Sequence, residues 1–169
     1  SKIVLQMPFM RMVNQSDAAF DRDKFIRHSL ICGAMSKAIS STMFMGNENE
    51  AYISGILHDV GVVVIYRYFR DEWNRINSLV VENRMPRIEA EKEVFSMDHG
   101  FLGATLLEMW NIPREITESV KFHHEPDKAE ENMGNVVVTS LGNSFSKRID
   151  LERDLVSFTD FVVAHKDFI

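Results

Sequence analysis

Large apolar residues recur three and four positions apart through most of the chain, a period that predicts helices rather than strands. From residue 21 to about Ser41, Phe25, His28, Cys32, Met35 and Ile39 trace one stripe, and Asp21 and Asp23 supply short carboxylates to start the helix. Asn47 with Glu50 reads as a capping box, and the segment from there through Leu57 is apolar on nearly every side, as in a buried helix. Gly61 then offers a bend. Beyond it, Val62, Val63, Val64 and Ile65 are β-branched enough for a strand, but no second strand candidate exists to pair with it, so helix is expected.

Trp73, Ile76, Leu79 and Val80 stand at helical spacing among charges, a surface helix from Asp71 to Arg84 ended by Pro86. Arg87 to Val94 reads as a short, charged helix. Asp98 caps the next, whose inward stripe is His99, Leu102, Gly103, Leu106 and Trp110. Pro113 sits at the first position of a helix that runs from Arg114 through Ile116 and Val120 to His123 and His124, with Pro126 closing it. Val136, Val137, Leu141, Ser144 and Phe145 form the stripe of a long helix, and Leu155, Phe158, Phe161 and Val162 that of a final amphipathic segment. Residues 3–13 are strongly apolar, broken by Pro8 and without a capped start. That opening is expected to pack on something preceding it, so the chain reads as a fragment. With no repeat, long linker or hairpin signal, the expected architecture is all-α: a single domain over residues 1–169, seven or eight helices around one core.

Composition narrows the class. A length of 169 residues suits one well-filled core, and the net charge of −6 with no basic stripe argues against nucleic acid as a partner. Cys32 is the only cysteine, so neither an internal disulfide nor a thiolate metal cluster is available, and its apolar neighbours make it a packing residue. The longest apolar run, around Val60 to Tyr66, is far short of the ~20 residues that span a bilayer. The expectation is a cytoplasmic protein without membrane contact.

One stretch resists this bland description. His58 and Asp59 sit side by side among Ile56, Leu57, Val60 and Val62, and ionisable groups are costly in a core unless paired, neutral or holding a metal. His28 and His99 fall on inward stripes, and His123 and His124 at a helix end, so five of the six histidines are placed to converge on Asp59. Neutral imidazole with a carboxylate is a donor set for a divalent transition metal such as iron, manganese, zinc or nickel. Each histidine alone has a plainer reading, a core imidazole whose ring N–H meets a carbonyl. His165, near the C-terminus, has no support as a member of the set.

Three segments in order carry a resemblance: Gly55-Ile-Leu-His-Asp-Val-Gly61, then Asp98-His-Gly-Phe-Leu-Gly-Ala-Thr-Leu-Leu-Glu-Met-Trp-Asn-Ile-Pro113, then Val120-Lys-Phe-His-His-Glu-Pro126. Together with His28-Ser29 they resemble the HDOD domain, the regulatory relative of the HD-type metal phosphohydrolases, over about residues 20–148. The family's usual N-terminal helices are largely missing. The resemblance implies an all-helical output module of bacterial signalling, often joined to receiver or second-messenger domains, acting through a signalling protein or adjacent domain and with no general enzymatic activity. The related HD-GYP phosphodiesterases cleave cyclic di-GMP with two or three metal ions. Carried over residue by residue, their ligands fall on His28, His58, Asp59, His99, His123 and His124.

The departures from the catalytic pattern set the expected function. Val62 stands where those relatives have lysine, Lys24 replaces a glutamate, Asn143 matches the closing aspartate, and no Gly-Tyr-Pro loop comes after His124. Two divalent ions bring four positive charges against the single carboxylate of Asp59, which leaves room for one ion and not two. The expected function is therefore a non-catalytic regulatory module with, at most, one bound metal. A metal-dependent phosphohydrolase acting on a nucleotide or cyclic di-GMP is the alternative.

Overall fold

The computed structural model describes residues 20–43 and 47–152. Among the described residues eight α-helices succeed one another: α1 (Arg22–Thr42), α2 (Glu48–Leu57), α3 (Val60–Tyr68), α4 (Arg70–Glu82), α5 (Arg87–Phe95), α6 (His99–Met109), α7 (Arg114–Phe122) and α8 (Met133–Glu152), with a 3₁₀ turn at Pro126–Lys128 before the last. No strand occurs among the described residues, and no described helix is long and apolar enough to cross a membrane. The apolar opening at residues 3–13, the segment holding Leu155 to Val162, and His165 lie outside the described residues.

Local chemistry explains most boundaries. The Asp21 carboxylate accepts the Lys24 N–H at 2.9 Å and starts α1, as its position predicts. The β-branched tetrad is helical, with Val60, Val63, Val64, Ile65 and Tyr66 of α3 buried, because burial among helices outweighs intrinsic strand preference. Asn47 does not form the expected capping box. Its side-chain oxygen instead accepts the Ser40 hydroxyl at 2.8 Å, tying the end of α1 to the start of α2. Pro86 and Pro113 each occupy the cap position just ahead of a helix, α5 and α7 respectively. Thus α4 stops at Glu82, before Pro86, and Arg84 takes a left-handed φ of 53° in the connection.

The break in the central apolar run falls at His58-Asp59, not at Gly61, which lies inside the first turn of α3. Gly61 serves the crossing of α3 over α6. A Cβ there would fall 2.8 Å from the His99 carbonyl carbon and 2.9 Å from the Gly103 nitrogen, and closer still to the His99 carbonyl oxygen.

Two stripes are rotated from their expected faces. On α8, Val136 is buried as expected, but Leu141, Ser144 and Phe145 face outward, while Asn135, Val138, Thr139, Gly142, Asn143 and Ser146 are buried. On α1, Met35 and Ile39 are only half-buried, whereas Ser29, Gly33, Ser36 and Ser40 turn fully inward. Close helix approaches cause both shifts: a Cβ on Gly142 of α8 would meet the Cys32 carbonyl oxygen of α1 at 2.9 Å, and one on Gly33 of α1 would meet the Tyr52 carbonyl oxygen of α2 at 3.0 Å, so small residues occupy the contacts and bulky ones are displaced. Cys32 is fully buried and free, as a packing residue should be. On α6, likewise, Leu107 is buried while Leu102, Leu106 and Trp110 are only partly so.

Glu118 of α7 fixes the turn into α8. Its carboxylate accepts the backbone N–H groups of Glu130 and Glu131 at 3.2 and 3.0 Å and the Asn132 amide at 2.8 Å. Burial pushes its pKa up, but these donors and Arg114 outweigh burial and hold it below the usual glutamate value. A carboxyl lowered in the fold contributes stability above its unfolded pKa and loses it as pH falls through the folded one. Glu118→Gln is therefore expected to cost about 1–3 kcal/mol at neutral pH. The cost should shrink steadily as the buffer is taken below the ordinary glutamate pKa, read by urea unfolding at both ends.

Candidate metal centre

The corner between α2 and α3 places His58 and Asp59 at the middle of the helix assembly. Asp59 occupies the cap position of α3 yet makes no side-chain capping bond; its carboxylate turns instead toward imidazoles. Oδ1 lies 3.0 Å from His99 Nε2 and 3.5 Å from His123 Nε2, and Oδ2 lies 3.2 Å from His58 Nε2 and 3.6 Å from His28 Nε2. His124 Nε2 approaches His99 Nε2 at 3.1 Å. All six residues singled out from the sequence thus meet at one place. They arrive from α1, the α2–α3 corner, the first residue of α6 and the end of α7.

Four of the five rings are oriented from behind. His58 Nδ1 lies 2.8 Å from the Gly55 carbonyl, His123 Nδ1 2.6 Å from the Val120 carbonyl, and His99 Nδ1 2.7 Å from Glu91 Oε2. The Ser146 hydroxyl stands 3.0 Å from His28 Nδ1. A ring whose Nδ1–H is donated outward presents the Nε2 lone pair inward, the arrangement that suits a metal ligand. His58, His123 and His99 are at most 3% exposed, while the Asp59 side chain is 17% exposed and His124 half-buried, so the centre opens on the Asp59 and His124 side.

The protonation pattern is uneven. Burial alone would lower the pKa of His58, but the Asp59 charge overrides it and holds His58 well above the ordinary value. His99 behaves likewise, raised to about 9 against burial by Asp59 and Glu91. Burial pushes the Asp59 carboxyl up, and the neighbouring imidazoles, the His58 charge first and then His123 and His99, bring it well below the usual range. Burial dominates at His123, whose pKa falls to about 4, and at His124, which is lowered further by the neighbouring His123, His99 and Lys147 charges. His123 and His124 therefore remain neutral donors at ordinary pH.

Donor chemistry fits a divalent transition ion. Asp59, His99, His123 and His124 each offer an atom within 4.8 Å of the other three, and His28, His58 and Asp59 form a second such group, with Asp59 common to both. His123 Nε2 is buried with no hydrogen-bond partner. Two pairs of imidazole nitrogens, His28 with His58 at 3.2 Å and His99 with His124 at 3.1 Å, face one another. Nitrogens so opposed repel unless a proton or a cation lies between them, and each pair includes one imidazole, His58 or His99, whose raised pKa supplies a proton.

Two members of the assembly escaped the sequence reading. Glu91, fully buried on α5, accepts both the backbone N–H and the ring Nδ1 of His99, at 2.9 and 2.7 Å. Its spacing from Ile88 and Phe95 puts it on the inward side of a helix read as merely charged, and an acid on an inward stripe was the available signal. Ser146 was hidden by the rotated stripe of α8. Of the positions that depart from the catalytic pattern, Val62 packs against the hydrophobic core and supplies no charge. Asn143 is 3% exposed, and its Oδ1 has no hydrogen-bond partner.

A family model described as the HDOD domain matches residues 1–126. The crystal structure of an HDOD domain protein with unknown function from Geobacter sulfurreducens shares 23% identity, with a TM-score of 0.74 over 79% of this chain and 45% of that one. A structure labelled "Putative phosphohydrolase" from Shewanella amazonensis SB2B shares 20% identity, with a TM-score of 0.72 over 80% of this chain and 50% of that one. An uncharacterized protein of Treponema pallidum (strain Nichols) is 26% identical over 117 residues, 64% of this chain and 23% of that protein. The chain therefore spans about a quarter of that relative and about half of the solved chains.

Proposed function

The chain belongs to the HDOD family, and from that premise we propose that it is a regulatory output module without catalysis of its own. Its His–Asp centre holds one divalent transition metal, and it acts by engaging a signalling protein or an adjacent domain. The observation that carries the metal is the group of Asp59, His99, His123 and His124, whose donor atoms lie within 4.8 Å of one another, with His123 Nε2 buried and unpaired among them. One ion among Asp59, His99, His123 and His124 would take the place of the proton held at His99 and join the α2–α3 corner to α6 and α7. The non-catalytic part rests on charge. Among the described residues only Asp59 presents a carboxylate to the centre; Glu91 is spent on His99 and Arg87, and Val62 brings no cation to a developing negative charge.

A second reading, a metal-dependent phosphohydrolase, is favoured by one observation: Asp59 is shared between two donor groups, as a carboxylate bridging two ions would be. Stripping the protein with chelator and adding back manganese, iron, zinc or nickel tests the first part. At a free metal concentration 100-fold above Kd the gain is about 2.7 kcal/mol, a rise of roughly 5–11 °C in Tm for a chain this size. No rise with any of these ions removes the metal from the proposal. Cyclic di-GMP and generic phosphodiesters are expected to remain uncleaved by the manganese or iron form. Turnover that disappears in His58→Ala would establish the second reading instead.

A further inference from the structure

Behind the centre, a continuous polar chain leads from His99 to a helix that never touches the donor atoms. His99 Nδ1 meets Glu91 Oε2 at 2.7 Å, and the other oxygen of the same carboxylate accepts Arg87 Nε at 3.0 Å. The Arg87 guanidinium then donates through Nη1 to Asn77 Oδ1 at 3.2 Å and lies over the Trp73 ring, 4.6 Å from its centroid. Asn77 and Trp73 are one turn apart on α4, which packs chiefly on α3 and α5. Trp73 is also held from the α3 side by Tyr66, at 5.4 Å between ring centroids.

We propose that Glu91 and Arg87 are positioning residues: Glu91 holds the His99 ring with Nε2 toward Asp59, and Arg87 ties that orientation to the seating of Trp73 and Asn77 on α4. The geometry requires both oxygens of one buried carboxylate. A rotation of His99 withdraws the Nδ1 donor from Oε2, and the carboxylate cannot follow without releasing Arg87 from its place between Glu91 and the indole. A planar guanidinium, with an edge for the acid and amide and a face for the ring, suits this junction where a lysine ammonium would not. The state of the centre would thus be legible at α4, which presents Val81 to solvent at 76% exposure. This deepens the metal reading given above and rests on it for the signal that enters, not for the coupling itself.

Trp73 is the reporter, since the chain has two tryptophans and Trp110→Phe leaves it alone. In that background, saturating the metal-free protein with zinc is expected to shift Trp73 emission in step with binding measured by calorimetry. Arg87→Met should bind zinc without the shift. Glu91→Gln should weaken zinc binding by about 10- to 100-fold, as loss of a partner behind a ligand does elsewhere. A metal-free arm separates the two ideas: His99→Asn should alter Trp73 emission on its own, and fail to do so once Arg87→Met is also present. If zinc binds and neither zinc nor His99→Asn moves Trp73, the coupling is overturned while the metal reading stands. If zinc does not bind but His99→Asn moves Trp73 only through Arg87, the coupling stands and the metal reading falls. Should His99→Asn fail to fold, Glu91→Gln without metal gives the same comparison, and an unchanged Trp73 there overturns the coupling.

Discussion

Gly61→Ala is expected to cost about 3 kcal/mol or more, and where the domain survives, to abolish its stabilisation by metal. Overpacking a well-filled core commonly costs about 1–3 kcal/mol because side chains and backbone shift to make room. Here the obstruction is backbone. The new methyl would lie 2.8 Å from the His99 carbonyl carbon and 2.9 Å from the Gly103 nitrogen, so no side chain can rotate out of the way. Gly103 in turn has Gly61 N at 3.0 Å from its own Cβ position, so the crossing of α3 and α6 depends on two bare helix faces meeting. Moving α6 outward relieves the clash, yet His99 is its first residue and Asp59 stands directly before α3. Their 3.0 Å contact is stretched by the same displacement. Urea unfolding with and without added zinc reads both effects. A loss under about 1 kcal/mol with an intact zinc response would show that the helices do not meet this closely.

That crossing also shows how far the sequence could be read. Helices were legible because their apolar residues keep a helical period and because Asp21 and Asp98 stand where short acids accept the first N–H groups, at 2.9 and 3.0 Å. Even the β-branched tetrad reads as helix, because nothing else in the sequence can pair with it as a strand. Orientation was harder. A hydrophobic stripe ranks Leu141 and Phe145 above Gly142 and Ser146, but a close helix contact selects for size, and the small residues took the buried face of α8. Distances between helices are set by partners remote in the chain, which local periodicity does not contain.

The centre divides in the same way. Histidines in a core are rare enough to stand out, and the adjacent pairs His58-Asp59 and His123-His124 signal convergence in the sequence itself. Glu91 stands out from Arg87, Glu89, Lys92 and Glu93 only by its spacing from Ile88 and Phe95, a faint signal because solvated charges and one buried acid look alike in a charged helix. Its discovery changes the charge balance: the neighbourhood carries a second acid, placed behind His99 rather than between donor groups. It strengthens one imidazole as a ligand and leaves the deficit facing a second ion in place.

Asp59→Asn is expected to have the widest consequences of any single change at the centre. The substitution keeps size and one acceptor oxygen but removes the charge against which His58 and His99 hold their protons, and it turns an amide N–H₂ toward imidazole nitrogens that need an acceptor. Breaking a buried pair from one side costs about 3–5 kcal/mol, or roughly 6–20 °C in Tm for a chain this size. The metal response should go with it, because Asp59 is common to both donor groups and is their only carboxylate. Comparison with His123→Asn distinguishes structure from ligation. His123 Nε2 has no hydrogen bond to lose, so that variant should keep most of the metal-free stability while its zinc affinity drops. Equal destabilisation of the two metal-free variants would mean that the imidazoles are packed as ordinary core residues. An Asp59→Asn protein as stable as its parent, and still raised in Tm by zinc, would place the ion elsewhere.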